Sequence, residues 1–204
     1  ISALLSSDPA LSARILQLAN SAWFTRGNQI NDINNAITLL GLDQVKQLVL
    51  ASQVFADAST NPYVDKLQQK ALLAATLAAH ISDHHGLEPT AALLANIALL
   101  LPEFRTAEYQ GITTGNNTPV HAAVGAYLLA LWGLPMDIVE AVANHVQPSR
   151  NAEKTFGVQG TVHVAVMLAN NGVLDLDYLE QTGVRDKLPL WQAMLARIQG
   201  ALDD

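Results

Sequence analysis

The groups best able to do chemistry in this chain are its six histidines, since it has no cysteine. Four candidate metal ligands fall close together: His80, Asp83, His84 and His85. His80 and His84 stand four apart, so on a helix both imidazoles could face one cation. Two features argue for a plainer reading. Ile81 marks the buried side of that helix, and His80 lies about 100° round from it at 3.6 residues per turn. The cluster also occupies the last turn before Gly86, where a histidine meets the negative end of the helix dipole favourably. A helix end is expected there, and no metal site. His163 sits within Val162-His163-Val164-Ala165-Val166 and reads as a core histidine with satisfied nitrogens. His121 and His145 fall at the start of one helical segment and the end of another. No nucleophile elbow, phosphate loop or dinucleotide motif occurs, and Gly111-Ile112-Thr113-Thr114-Gly115 lacks a lysine partner and reads as a connector.

The elements that must position these residues are helices. The chain has 204 residues, half of them apolar and 14% charged, which is enough for one compact unit with a substantial core. Ala and Leu, which lose little side-chain freedom in a helix, are abundant and aromatics scarce. Asp8-Pro9 opens a helix with Leu11, Ile15, Leu18, Ala19 and Ala22 on one face. Asp32 caps a short helix carrying Ile33, Ala36, Ile37 and Leu40, ended by Gly41. Asp43 caps another, with Val45, Leu48, Val49 and Ser52 inward. Asn61-Pro62 opens the longest helix, whose stripe is Leu67, Ala71, Ala74, Ala78 and Ile81, and Gly86 is its expected stop.

From Glu88-Pro89 to Leu101 the pattern is apolar nearly all round, which predicts a central helix with Leu94 and Leu99 almost fully buried. Asn116 to Pro119 forms a turn before Val120, Val124, Tyr127, Leu128 and Leu131. Gly133-Leu134-Pro135 separates that helix from the next, Met136 to about His145. A polar loop over 147–160 precedes a helix from about Thr161 to Asn170, and weaker segments lie near Asp175–Gln181 and Pro189–Ile198. No alternating strand pattern is evident. The expected fold is an all-α, compact helical bundle of two packed lobes, forming a single domain over residues 1–204.

Charge and hydropathy exclude several roles. A net charge of −7 and a pI near 5.2, with no run of Lys or Arg, speak against nucleic-acid binding. The short helices around Gly41 faintly suggest a helix-turn-helix, but Val45, Leu48 and Val49 face inward and only Lys46 supplies a cation. No secretory signal is visible, and the apolar run Ala91–Leu101 is well short of the roughly 20 residues a membrane span needs. The lack of cysteine suits a reducing cytoplasm, the expected location. The chain begins with Ile1, and we expect it to be a piece of a longer signalling polypeptide.

Four motifs carry a resemblance. Residues 8–22, DPALSARILQLANSA, form the first. The second is Ala36-Ile37-Thr38-Leu39-Leu40-Gly41-Leu42 with Val45 and Leu48-Val49-Leu50. The third is Val124-Gly125-Ala126-Tyr127-Leu128-Leu129 with Trp132-Gly133-Leu134-Pro135, and the fourth Asn144-His145-Val146-Gln147-Pro148. Together and in this order they resemble the HDOD family, a degenerate relative of the HD-domain phosphohydrolases.

The resemblance implies an HD-like helical fold and an output module of bacterial signalling, often joined to a receiver domain or to cyclic-dinucleotide enzymes. The related enzymes hold divalent metal with a His, a His-Asp dyad and a later Asp. Here Leu99-Leu100 stands where the dyad would be, Lys70 at the first histidine and Asn170 at the final aspartate. Two leucines supply no ligand atom. The expectation is therefore a non-catalytic domain with no metal or cofactor, whose partners are other signalling proteins or domains. A metal-dependent phosphohydrolase is the rival from another class, and a small-molecule sensor is a third reading. His121 and His145 match positions that carry histidine in many relatives. They read either as a remnant pocket for an anion or small ligand, or as two histidines satisfied by helix-end and loop carbonyls, the simpler of the two.

Overall fold

The computed structural model describes residues 8–20, 30–40, 62–82, 86–101, 104, 119–151 and 155–203. The expected helix after Asp43, the loop at Gly111–Gly115, and Asp83, His84 and His85 lie outside them. The described helices are α1 (Pro9–Ala19), α2 (Ile33–Leu40), α3 (Pro62–Ile81), α4 (Glu88–Leu94), α5 (Val120–Leu131), α6 (Met136–Asn144), α7 (Val158–Asn170), α8 (Leu176–Gln181) and α9 (Leu188–Asp203). The architecture is all-α, and no strand occurs among the described residues.

Local chemistry sets the helix ends. Asp8 Oδ1 accepts from Leu11 N at 3.1 Å, and Asp32 Oδ1 accepts from Asn34 N and Asn35 N at 2.8 and 3.0 Å. Both are N-caps that satisfy otherwise orphaned amides. At the end of α1, the Asn20 amide donates to Leu16 O and Ile30 O, and its Oδ1 accepts from Ile30 N. This one side chain closes the helix and anchors the chain ten residues later. α5 ends at Gly133, where φ is +75° and Gly133 N and Leu134 N bond back to Ala130 O and Leu129 O. Only a residue without Cβ takes that left-handed position at little energetic cost. Asn20 lies against Gly133, so the first and third sequence motifs meet in space.

Three expectations need correction. The apolar run from Glu88 is not one helix: α4 ends at Leu94, and Ile97–Leu100 forms a 3₁₀ turn with i→i−3 bonds such as Leu99 N to Asn96 O. The tighter winding turns Leu99 half out, while Leu94, Ala95 and Ala98 stay buried. A run apolar on every side carries no periodicity that could reveal this break. α3 ends at Ile81, five residues before Gly86, whose φ is +100°. α7 starts at Val158, within the expected loop, and residues 159–167 of it are all buried. It packs on α3, α4, α6 and α9 and is at least as central as α4.

One core cluster runs from Leu11 in α1 to Ala169 in α7, so the N-terminal helices share their interior with the longer ones. A smaller cluster joins Val164, Tyr178, Leu179, Val184 and Trp191, with Phe156 stacked on Trp191 at 5.2 Å. Burial of these side chains is the main stabilising term.

Candidate functional site

α5 and α6 pack against one another, with Gly125 of α5 facing Val142 of α6. A methyl group there would touch Ile97 Cγ2 and Val142 Cγ1 at 3.5 Å. The start of α5 lies beside the end of α6. The rings of His121 and His145 stand edge to face, 5.7 Å between centroids.

His145 is fully buried at the C-cap of α6. Its Nδ1 lies 2.7 Å from Val142 O, and a carbonyl can only accept. Nδ1 therefore carries the proton, and Nε2 presents a lone pair. That Nε2 is buried with no hydrogen-bond partner among the described residues. Burial lowers the His145 pKa to about 3, with the Val142 carbonyl opposing and the nearby His121 and His163 adding to the fall. His121 is half-buried, and burial lowers its pKa too.

His163 on α7 is equally buried but fully partnered. Its Nδ1 donates to His145 O at 2.8 Å and its Nε2 accepts from Asp175 N at 3.0 Å. The two bonds fix the neutral Nδ1–H tautomer. Burial lowers its pKa, while the His145 carbonyl and the Asp175 charge pull the other way. Asp175 caps α8 through Tyr178 N and also accepts from Ser149 N at 3.0 Å. Burial pushes its carboxyl up, but the Ser149 and Tyr178 hydrogen bonds outweigh that and hold it below the usual range.

The fourth sequence motif is thereby clamped to the helices that follow. Gln159 Nε2 donates to Pro148 O at 3.1 Å and its Oε1 accepts from Asn151 at 2.9 Å. Gln159 and Asp175 escaped attention in the sequence. The signal for Asp175 was its place just before a helix, and for Gln159 a polar residue entering an apolar run.

The positions that the resemblance equates with metal ligands also assemble in part. Lys70 Nζ donates to Asn170 O over 3.5 Å, joining α3 to the end of α7. A lysine there meets the carbonyl-rich, negative end of the helix. The Asn170 amide turns back to its own helix, donating to Val166 O at 2.8 Å. Beside them lies an open cleft of about 600 Å³ lined by Lys66, Lys70, Leu73, Ala169, Asn171 and Gln199. Leu99 and Leu100 contribute hydrocarbon on the 3₁₀ turn. An ammonium, carboxamides and methyl groups do not fit a divalent cation. Among the described residues, no group of three or more His, Cys, Asp or Glu could hold one. His80 is exposed, and its Nδ1 donates to Thr76 O at 2.8 Å, which is a helix-end role.

Comparison with known proteins places this geometry. The MmoQ response regulator from Methylococcus capsulatus str. Bath has a similar fold: TM-score 0.70 at 22% identity, covering 94% of this chain and 87% of that one. A fragment of that regulator gives 0.60 at 24% identity, covering 83% and 74%. A virulence factor from Campylobacter jejuni subsp. jejuni gives 0.61 at 19% identity, covering 95% and 87%. No curated protein sequence matches this chain. No described helix is long and apolar enough to cross a membrane. The HDOD domain family model matches residues 1–148, from the start of the chain through the whole fourth motif. Asn20 against Gly133, Gly125 against Val142 of α6 and His145 at the end of α6 are the contacts those motifs make in a chain that belongs to the HDOD domain family.

Proposed function

We propose that this chain is a non-catalytic output domain of bacterial signal transduction that acts by contact with other signalling proteins or domains, in the cytoplasm, and binds neither nucleic acid nor membrane. The observation that carries this reading is Leu99-Leu100 at the dyad position, on a turn that offers only hydrocarbon. Lys70 and Asn170 support it, because their polar groups are engaged with the end of α7. Metal-assisted hydrolysis needs a cation to polarise phosphate and activate water, and this donor set supplies no place for one. The similar fold of a protein named as a response regulator agrees with a signalling role.

The test is hydrolysis of bis(p-nitrophenyl) phosphate and nucleotides by the purified chain with added Mn²⁺ or Mg²⁺. The expected rate equals that of the metal in buffer. Turnover that depends on both metal and protein would overturn the reading.

A second reading has one specific observation in its favour, the unpartnered Nε2 of His145 beside His121. A small ligand with a hydrogen-bond donor would satisfy that lone pair. Such a ligand should raise the melting temperature of the chain, and His145→Leu should abolish the rise.

A further inference from the structure

From Val120 to Leu131, α5 contains no charged residue at all. Its inner positions Ala122, Gly125, Ala126 and Leu129 are buried and recur at steps of three and four, which defines one face. The opposite face carries Val120, Val124, Tyr127 and Leu131. Tyr127 and Leu131 are 64% and 63% exposed, and Met136, just across the turn into α6, is 62% exposed. A single exposed apolar side chain is ordinary on a protein surface. A helix equally apolar on its solvent side is not, and such a face marks a contact surface.

Charge identifies the occupant. No Lys or Arg occurs between Arg105 and Arg150. The charged side chains of α5 and α6 are Asp137 and Glu140, both exposed, and no ion pair of either is found among the described residues. Glu140 stands one turn beyond Met136 on α6, so a second copy docking through Met136 and the same face would bring like charges together there, which opposes a symmetric dimer. A helix with an apolar stripe and Lys or Arg along its flank would bury the face and neutralise the acids.

We propose that the outer face of α5, together with Met136, docks a basic amphipathic helix of a partner protein. The proposal rests on the protein-contact reading above and adds the face and the partner's chemistry to it.

The experiment titrates the chain with a helical Leu/Lys model peptide, and with the same peptide carrying Glu for Lys, following backbone amide NMR shifts. The Lys peptide should move resonances of the outer α5 positions and of residues 136–140, and the Glu peptide should not. Leu131→Glu should weaken binding by about tenfold or more, and Asp137→Asn with Glu140→Gln, which keeps the shape, should also weaken it. Leu190→Glu, at an exposed leucine on α9, should leave binding unchanged. Because all these side chains are exposed, melting should stay at the parent value. Equal binding of the two peptides, shifts confined to another surface, or full affinity in both the Leu131 and the acid variants would overturn the proposal. A concentration-dependent dimer in sedimentation that Leu131→Glu dissociates would also overturn it, by assigning the face to a second copy. Protein-dependent phosphodiester turnover is read separately and would sink the protein-contact reading instead.

Discussion

His145 and His163 invite direct comparison, because both rings are fully buried and one carries the backbone oxygen that the other binds. His163 uses both nitrogens, bridging α7 to the end of α6 and the start of α8. His145 uses one nitrogen within its own helix end and leaves the other facing no partner among the described residues. Burial alone therefore says little about what a polar side chain does. A ring with two partners ties three elements together, whereas a ring with an orphaned nitrogen pays for part of what its hydrogen bond contributes.

The largest expected effect follows from breaking the satisfied side of this comparison. His163→Leu removes partners from His145 O and Asp175 N together and should destabilise the chain by about 3 kcal/mol in urea denaturation. A loss below about 1 kcal/mol would mean that the clamp is replaced by water at no net cost.

Acid should act on both rings. Each has a pKa below its unfolded value, so the unfolded chain binds more protons as pH falls. The stability held by the neutral rings is complete above the unfolded pKa of about 6.5 and is lost progressively below it. For His145 the loss continues down to its folded value of about 3. At pH 5 it amounts to about 2 kcal/mol for a ring that stays neutral in the fold. His145→Leu should remove one such share, giving a flatter stability curve between pH 7.5 and 5. An unchanged curve would show that His145 does not stay neutral in the folded protein.

Gly160→Ala tests the packing next to the clamp. A methyl group there would come within 2.6 Å of Phe156 Cδ2 and 2.9 Å of the Tyr178 hydroxyl, which itself donates to Thr155 O. Both rings must shift, so a loss of about 2 kcal/mol is expected by calorimetry. The smallest effect belongs to the orphaned side. At pH 7.5, His145→Leu should change stability by under about 1 kcal/mol, since one lost hydrogen bond is offset by removal of an unsatisfied nitrogen. A loss as large as that of His163→Leu would erase the contrast between the two rings.

Much of the fold was legible in the chain itself. Asp8, Asp32 and Gly133 mark helix ends through local hydrogen bonding and backbone preference, which act within a few residues. The stripe Leu67, Ala71, Ala74 and Ala78 shows its buried face by spacing alone. The four ordered motifs indicated the family. His163 was legible as a satisfied core histidine because it stands inside an apolar run.

Other features were decided only in three dimensions. The break at Ala95–Asn96 lies in a run apolar on all sides, where no pattern separates an α-helix from a 3₁₀ turn. That His121 meets His145, that Lys70 reaches Asn170, and that Asp175 holds His163 are contacts between residues distant along the chain. They depend on how whole helices cross. The same holds for α5, whose sequence is apolar on both faces and whose exposed side was settled by what packs against the other. Local sequence fixes where helices start and stop because those forces are short-ranged, whereas which buried nitrogen finds a partner depends on the summed packing of all the elements.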